Sequence, residues 1–208
     1  MDDDLGQLLR RDRCALIVFE CHEGVLGERS FLPGLAAAAR DAGLVARIAA
    51  LAECARESAV PVVYCTRRTP SDGSDDGSNL PLQRRLRARG GGQASGPDLG
   101  DIVAGLKPAR TDVVVDRERG LTGFHETRLD DVLRRAAVQT VVLTGVSLNL
   151  GVLGTAIEAV NRGYCVVLPT DCVVADPAGY AESLLRHTLR NIAFLGTSDD
   201  VRAVWRAA

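Results

Sequence analysis

Short, uninterrupted apolar runs alternate along this chain with longer stretches in which apolar residues recur every three or four positions. The runs are 15–19 (ALIVF), 60–65 (VPVVYC), 113–115 (VVV), 140–144 (TVVLT), 164–168 (YCVVL) and, more weakly, 192–195. A strand with one wet face alternates apolar with polar residues; continuous β-branched runs belong to strands covered on both faces. Between the first two runs, residues 35–57 set Leu44, Ile48, Leu51 and Ala55 on one helical face, and Leu129, Val132 and Leu133 do the same in a shorter helix. Strand and helix therefore alternate, with crossovers long enough to hold the helices. That order predicts a three-layer α/β/α fold around a doubly wound, mostly parallel sheet of about six strands, Rossmann-like in topology.

In such sheets the functional residues stand at the carboxyl ends of the strands. The segments to inspect are 20–24, 65–68, 116–124, 145–151 and 169–172. Two polar, glycine-rich stretches, 69–79 and 89–98, interrupt the pattern after the second strand and read either as flaps over a site or as solvated insertions.

Composition narrows the partners. The chain has 208 residues, 46% apolar and 25% charged, a length at which one core across residues 1–208 is expected. With 25 basic and 27 acidic side chains the net charge is -2, which offers no broad positive surface for a phosphate backbone and argues against nucleic acid. The acidic start, Met1-Asp2-Asp3-Asp4, does not read as a signal peptide, and no run approaches the roughly 20 apolar residues of a membrane span. The expectation is a cytoplasmic protein that acts on small molecules, away from membranes. Six cysteines form no CxxC pair and no zinc-spaced Cys/His cluster, so they read as reduced core thiols.

Glu20 closes the first apolar run, in CALIVFECHEG, where an acid at a strand end among apolar neighbours suits proton transfer; His22 and Glu23 follow in the turn. Arg117 follows the third run, and Arg67 and Arg68 the second; a guanidinium there can grip a carboxylate in bidentate fashion. The segment TVVLTGVSLNLGVLGTAIEAVNRGY reads as strand, tight turn and helix, with Asn149 near the helix start and Gly163 as its stop. Its turn offers backbone N–H groups for an oxyanion or carboxylate. Ser147 lies in G-V-S-L-N, which is not the G-x-S-x-G of a nucleophile elbow, and without G-x-G-x-x-G a dinucleotide site is not indicated.

At these residues the chain resembles the isochorismatase-like hydrolases, the cysteine hydrolase superfamily. ALIVFECHEG is similar to the family's apolar first strand followed by Asp-x-Gln. LKPARTDVVVDRERGLTGFHETRLDDVLR is similar to its catalytic-lysine strand and S-A-F-x-x-T-x-L segment, and TVVLTGVSLNLGVLGT to its G-V-x-x-N-x-C-V turn. Most members use an Asp-Lys-Cys triad. Here the resemblance sets Glu20, Arg117 and Gly151 at those positions, with Glu118 the alternative to Arg117 if the count runs back from Phe124. True isochorismatases also have glycine at that turn, and in them an acid protonates the substrate while water completes the cleavage.

The resemblance therefore implies a cysteine-independent hydrolase of a small anionic molecule, with Glu20 as general acid or base, Arg117 orienting the anion and Gly151 in the donor turn. His22, Arg67, Phe124, Ser147, Asn149 and Leu150 are the expected substrate contacts. Lys107, the chain's one lysine, precedes the third strand and is expected at the opposite edge of the sheet. No metal and no cofactor are expected, because the Asp-x-His pattern of zinc-dependent members is missing after the second strand. A homodimer or homotetramer is implied. Two other readings are an inactive descendant that binds a ligand or a partner, and an amidohydrolase using Ser147 or a neighbouring thiol.

Overall fold

The structure, a computed structural model, describes residues 2–68, 79–88 and 100–207. The glycine-rich stretches 69–78 and 89–98 lie outside the described residues. The chain runs α1 (Asp2–Leu8), β1 (Cys14–Phe19), α2 (Glu23–Leu26), α3 (Pro33–Asp41), α4 (Leu44–Glu57), β2 (Val62–Arg67), α5 (Pro81–Ala88) and β3 (Val113–Arg117). It continues with α6 (Leu129–Arg135), β4 (Thr140–Val146), α7 (Leu153–Asn161), β5 (Cys165–Pro169), β6 (Val173–Val174), α8 (Tyr180–His187), β7 (Phe194–Gly196) and α9 (Ser198–Ala207).

The strands form one sheet in the order β3-β2-β1-β4-β5-β7, every pairing between them parallel, as the unbroken apolar runs predict. Every residue of β1 and β4 is buried. Alternate side chains serve opposite faces. Cys14, Leu16 and Val18 join one core with Leu44, Ile48 and Leu51 of α4 and Trp205 of α9. Ala15, Ile17 and Phe19 join the other with Leu129 and Leu133 of α6, Ala156 of α7 and Leu184 of α8. The three layers follow from that alternation.

Two departures from the sequence pattern have local causes. The predicted helix 35–57 is two helices, because Gly43 takes φ 60 and breaks the ladder between α3 and α4. The edge of β4 is shared: Thr140–Val142 pair with β5, whereas Gly145 and Val146 pair with β6, beyond the helical turn Thr170–Cys172. A two-residue strand is too short to leave a periodic signal in sequence.

The α4 layer depends on α9. Trp205 is fully buried in it, and the Ser58 hydroxyl donates to the Trp205 carbonyl oxygen at 3.2 Å. Replacing Trp205 with Ala should cost about 3–5 kcal/mol, read as a fall in the urea midpoint at unchanged slope; a loss under about 1 kcal/mol would show that α9 is dispensable to this core.

Candidate active site

β1 and β3 are not neighbours; β2 lies between them, with Phe19 level with Cys65, Cys65 with Val115, and Arg67 with Arg117. At about 4.8 Å per strand, their ends stand roughly 10 Å apart, a gap that only long side chains close. Glu20 and Arg117 close it. Glu20 leaves β1 in the left-handed region, φ 52, its N–H donating to the Cys65 carbonyl at 2.8 Å. A residue with a side chain holds that conformation at a cost of about 1 kcal/mol or more, and such costs gather at functional sites.

Arg117 ends β3 with its side chain 4% exposed. Its Nη2 donates to Glu20 Oε1, and its Nε to the Gly120 carbonyl at 3.2 Å. The guanidinium carbon lies 5.6 Å from the centre of the Phe19 ring, within cation–π range. The third nitrogen, Nη1, is buried and has no hydrogen-bond partner among the described residues. Glu118, the alternative by counting, is exposed.

These groups open on a cavity of about 490 Å³. Of the residues expected there, Glu20, His22, Arg67, Arg117, Ser147, Leu150 and Gly151 line it. The amide of Gln83 on α5, with its oxygen turned toward Arg67, accepts from that guanidinium at 3.0 Å. Arg68 instead faces outward and pairs with Asp116 at 2.9 Å.

Three expectations change. Phe124 is not on the cavity wall: it is 4% exposed, stacks on Tyr164 at 6.1 Å and lies beneath Arg162, so its ring belongs to the core. Asn149 is also off the wall; its amide nitrogen donates to the Asp176 carbonyl at 3.2 Å and ties the turn to the segment before α8. Lys107 is not at the far edge. Residues 101–103 run beside the turn after β1, where Val103 N–H donates to Cys21 and Glu23 N–H to Asp101, and Lys107 lines a separate open cleft with Glu23, Glu28 and Asp101.

The cavity also contains Arg119, His125 and Glu158, which the sequence reading missed. Arg119 and His125 lie in RERGLTGFHET, whose density of polar groups after a strand was the available signal. That loop is held by its own bonds: Thr122 Oγ1 donates to Glu158 at 2.9 Å, Gly123 N–H to Thr155 Oγ1 at 3.0 Å, and Thr127 Oγ1 to the Gly123 carbonyl at 2.6 Å.

The turn after β4 has a cis peptide between Val146 and Ser147 and then a π-helical turn, Leu148–Val152, in which the Ser147 carbonyl accepts from the N–H groups of Leu150 and Val152. Two glycines let it pass close to β1. At Gly145, φ 110, a Cβ would fall 2.0 Å from the Phe19 carbonyl oxygen, so no other residue fits. At Gly151 a Cβ would fall 2.5 Å from Phe19 Cε1. The Phe19 ring thus occupies the space that a side chain at 151 would need.

Four of the thiols are poor nucleophiles where they stand. Burial pushes the Cys65 thiol up to about 12, only partly offset by Arg117. Burial likewise raises Cys172 to about 12 and Cys14 to about 11, and lifts Cys21 well above the usual thiol range. Cys165 is the exposed one. Among the described residues, no group of three or more His, Cys, Asp or Glu side chains comes together as a metal site.

Two predictions follow from this packing. Gly151→Ala should cost about 1–3 kcal/mol, and Phe19→Leu should recover part of that loss in the double variant; simple additivity in denaturant melts would show that the ring and the glycine are not coupled. Iodoacetamide at mildly alkaline pH should label Cys165 in the native protein and the buried thiols only after unfolding; rapid native labelling of Cys65 would overturn the account of its burial.

Known proteins share this fold. Residues 14–200 match the isochorismatase domain family. The chain is 31% identical over 174 residues to the ureidoacrylate amidohydrolase RutB of Methylobacterium radiotolerans, an alignment covering 77% of this chain and 65% of that protein. Among solved structures, an isochorismatase family protein from Desulfovibrio vulgaris superposes with a TM-score of 0.77 at 29% identity, over 95% of this chain and all of the other. The N-carbamoylsarcosine amidase of Thermoplasma acidophilum does so with a TM-score of 0.71 at 26% identity, over 90% of this chain and 97% of the other.

Proposed function

This chain belongs to the isochorismatase family of hydrolases, and we propose that it hydrolyses a small anionic molecule without forming a covalent enzyme intermediate. Glu20 is the general acid and base, Arg117 holds the anionic group, and the turn 145–151 contributes backbone donors. One observation carries the reading. Arg117 is almost wholly buried on the cavity wall, with one nitrogen committed to Glu20 and another, Nη1, without a partner among the described residues. A buried donor left unsatisfied costs about 1–3 kcal/mol, and a carboxylate or carbonyl oxygen of a ligand would satisfy it. Glu20 would then stand within reach of that same group.

In this reading water adds across the scissile bond. Its proton passes to the Glu20 carboxylate and from there to the leaving group, so Glu20 ends each turnover as it began. Several facts favour this over a thiol mechanism. By resemblance, the triad positions hold Glu20, Arg117 and Gly151, and the space beside Gly151 is filled by Phe19. The thiols of Cys14, Cys21, Cys65 and Cys172 are buried and raised. The named relatives act, by their names, on ureidoacrylate and N-carbamoylsarcosine, both small carboxylates, which supports an anionic substrate here. That they are hydrolases weighs against a binding-only descendant.

The test is product detection by mass spectrometry with isochorismate, related enol ethers, and a panel of small amides and ureido acids. Glu20→Gln, which keeps the shape and a hydrogen bond to Arg117, should lower kcat by about 10²–10⁴-fold, whereas Ser147→Ala should change it by less than about threefold. Full turnover by Glu20→Gln would remove the proton-transfer role, and loss of turnover in Ser147→Ala alone would favour the serine mechanism.

A further inference from the structure

The charged groups described above form only part of the cavity wall. Much of the rest is apolar and comes from two elements that stand away from the strand ends: Phe31, Leu32 and Leu35 at the start of α3, and Leu80, Leu82 and Leu86 on and beside α5. Leu35 and Leu86 are buried, but Phe31, Leu32, Leu80 and Leu82 keep intermediate exposure. Four large apolar side chains converging on one cavity leave apolar surface in contact with water, and such clustered surface marks a binding site for an apolar group. A small, fully polar substrate would occupy the Arg117 end and leave this wall wet.

The polar end has a definite sign. The charged side chains on the wall are Arg67, Arg117 and Arg119 against Glu20 and Glu158, an excess of one positive charge. Glu158 is already engaged by Thr122, and Glu20 by Arg117. Arg117 lines that end, with its Nη1 buried and without a hydrogen-bond partner among the described residues.

We infer that the cavity takes an amphipathic acid or acid derivative, its carboxylate or carbonyl oxygen on Arg117 Nη1 and an apolar arm lying against α3 and α5. This rests on the reading of the cavity as the substrate site and specifies the class of substrate it accepts. The head supplies orientation through a charge-assisted hydrogen bond, and the arm supplies affinity by removing Phe31, Leu32, Leu80 and Leu82 from water. The arm is also what separates this substrate from the short polar acids that share its head group.

Binding tests this independently of turnover. Isothermal titration calorimetry on the intact protein, at low ionic strength, would use acetate, butanoate, hexanoate, octanoate and cyclohexanecarboxylate as probes, with octanol as a headless control. Affinity should rise by about fourfold per added methylene until the arm is filled, and octanol should bind more weakly than octanoate. Leu32→Gln and Leu82→Gln, at positions of intermediate exposure and each checked for an unchanged circular dichroism spectrum, should flatten the dependence on chain length while leaving acetate unaffected.

Equal affinity for acetate and octanoate would overturn the inference, as would a chain-length dependence unchanged in both leucine variants. Glu20→Gln should keep the chain-length dependence. If that variant also kept full turnover, the proton-transfer role would fall while the amphipathic site stood; if it lost turnover and the dependence were absent in every form, the amphipathic site would fall while the proton-transfer role stood.

Discussion

A buried guanidinium paired, across one intervening strand, with a carboxylate that keeps some contact with solvent is the constraint on which this site rests. Arg117 cannot be removed from water alone: leaving a buried charge without its partner costs about 3–5 kcal/mol. The pair therefore fixes the relative heights of β1 and β3 as well as their own positions. With Phe19 level with Cys65, and Arg67 level with Arg117, the two side chains meet above the end of β2. A slip of one residue in either pairing would turn Arg117 to the other face of the sheet. The Phe19 ring beneath the guanidinium closes the arrangement from below.

That ring couples two parts of the site that are far apart in sequence. It packs under Arg117 on one side and into the space beside Gly151 on the other. In the turn after β4, the Phe19 ring fills the volume that a side chain at 151 would need. The glycine at 151 and the ring at 19 are one packing solution. Placing a side chain at 151 would therefore require a smaller residue at 19 as well.

Much of this was legible in the sequence, and the parts that were not have physical reasons. The six apolar runs mark β1 to β5 and β7 because continuous burial leaves a direct mark on composition. Glu20, Arg117 and Gly151 were legible because each stands at a strand end or in the turn that follows. Phe124 and Asn149 were misread because a motif records which residues recur and not which way they face: one ring points into the core, and one amide ties down a neighbouring segment. Phe19 looked like ordinary strand core, and nothing local marks it as the neighbour of residue 151. α5 is short and mostly polar, so its two leucines, Leu82 and Leu86, with Leu80 just before it, are too few to mark a cavity wall in the sequence. The sequence alone puts Lys107 at the amino edge, because it precedes β3, whereas backbone bonds to Cys21 and from Glu23 carry the chain along the other end of β1 first.

The docking of α9 has a consequence for how the chain is made. The core between α4 and the sheet receives its largest side chain from Trp205, and the Ser58 hydroxyl waits for a carbonyl 147 residues downstream. During synthesis, α4 and the strand beneath it emerge long before α9 and expose an apolar surface for the interval. At roughly 5–20 residues per second, that interval lasts about seven to thirty seconds. Early residues must therefore stay soluble with their core incomplete, for an interval that is set by topology and not by the stability of the finished fold.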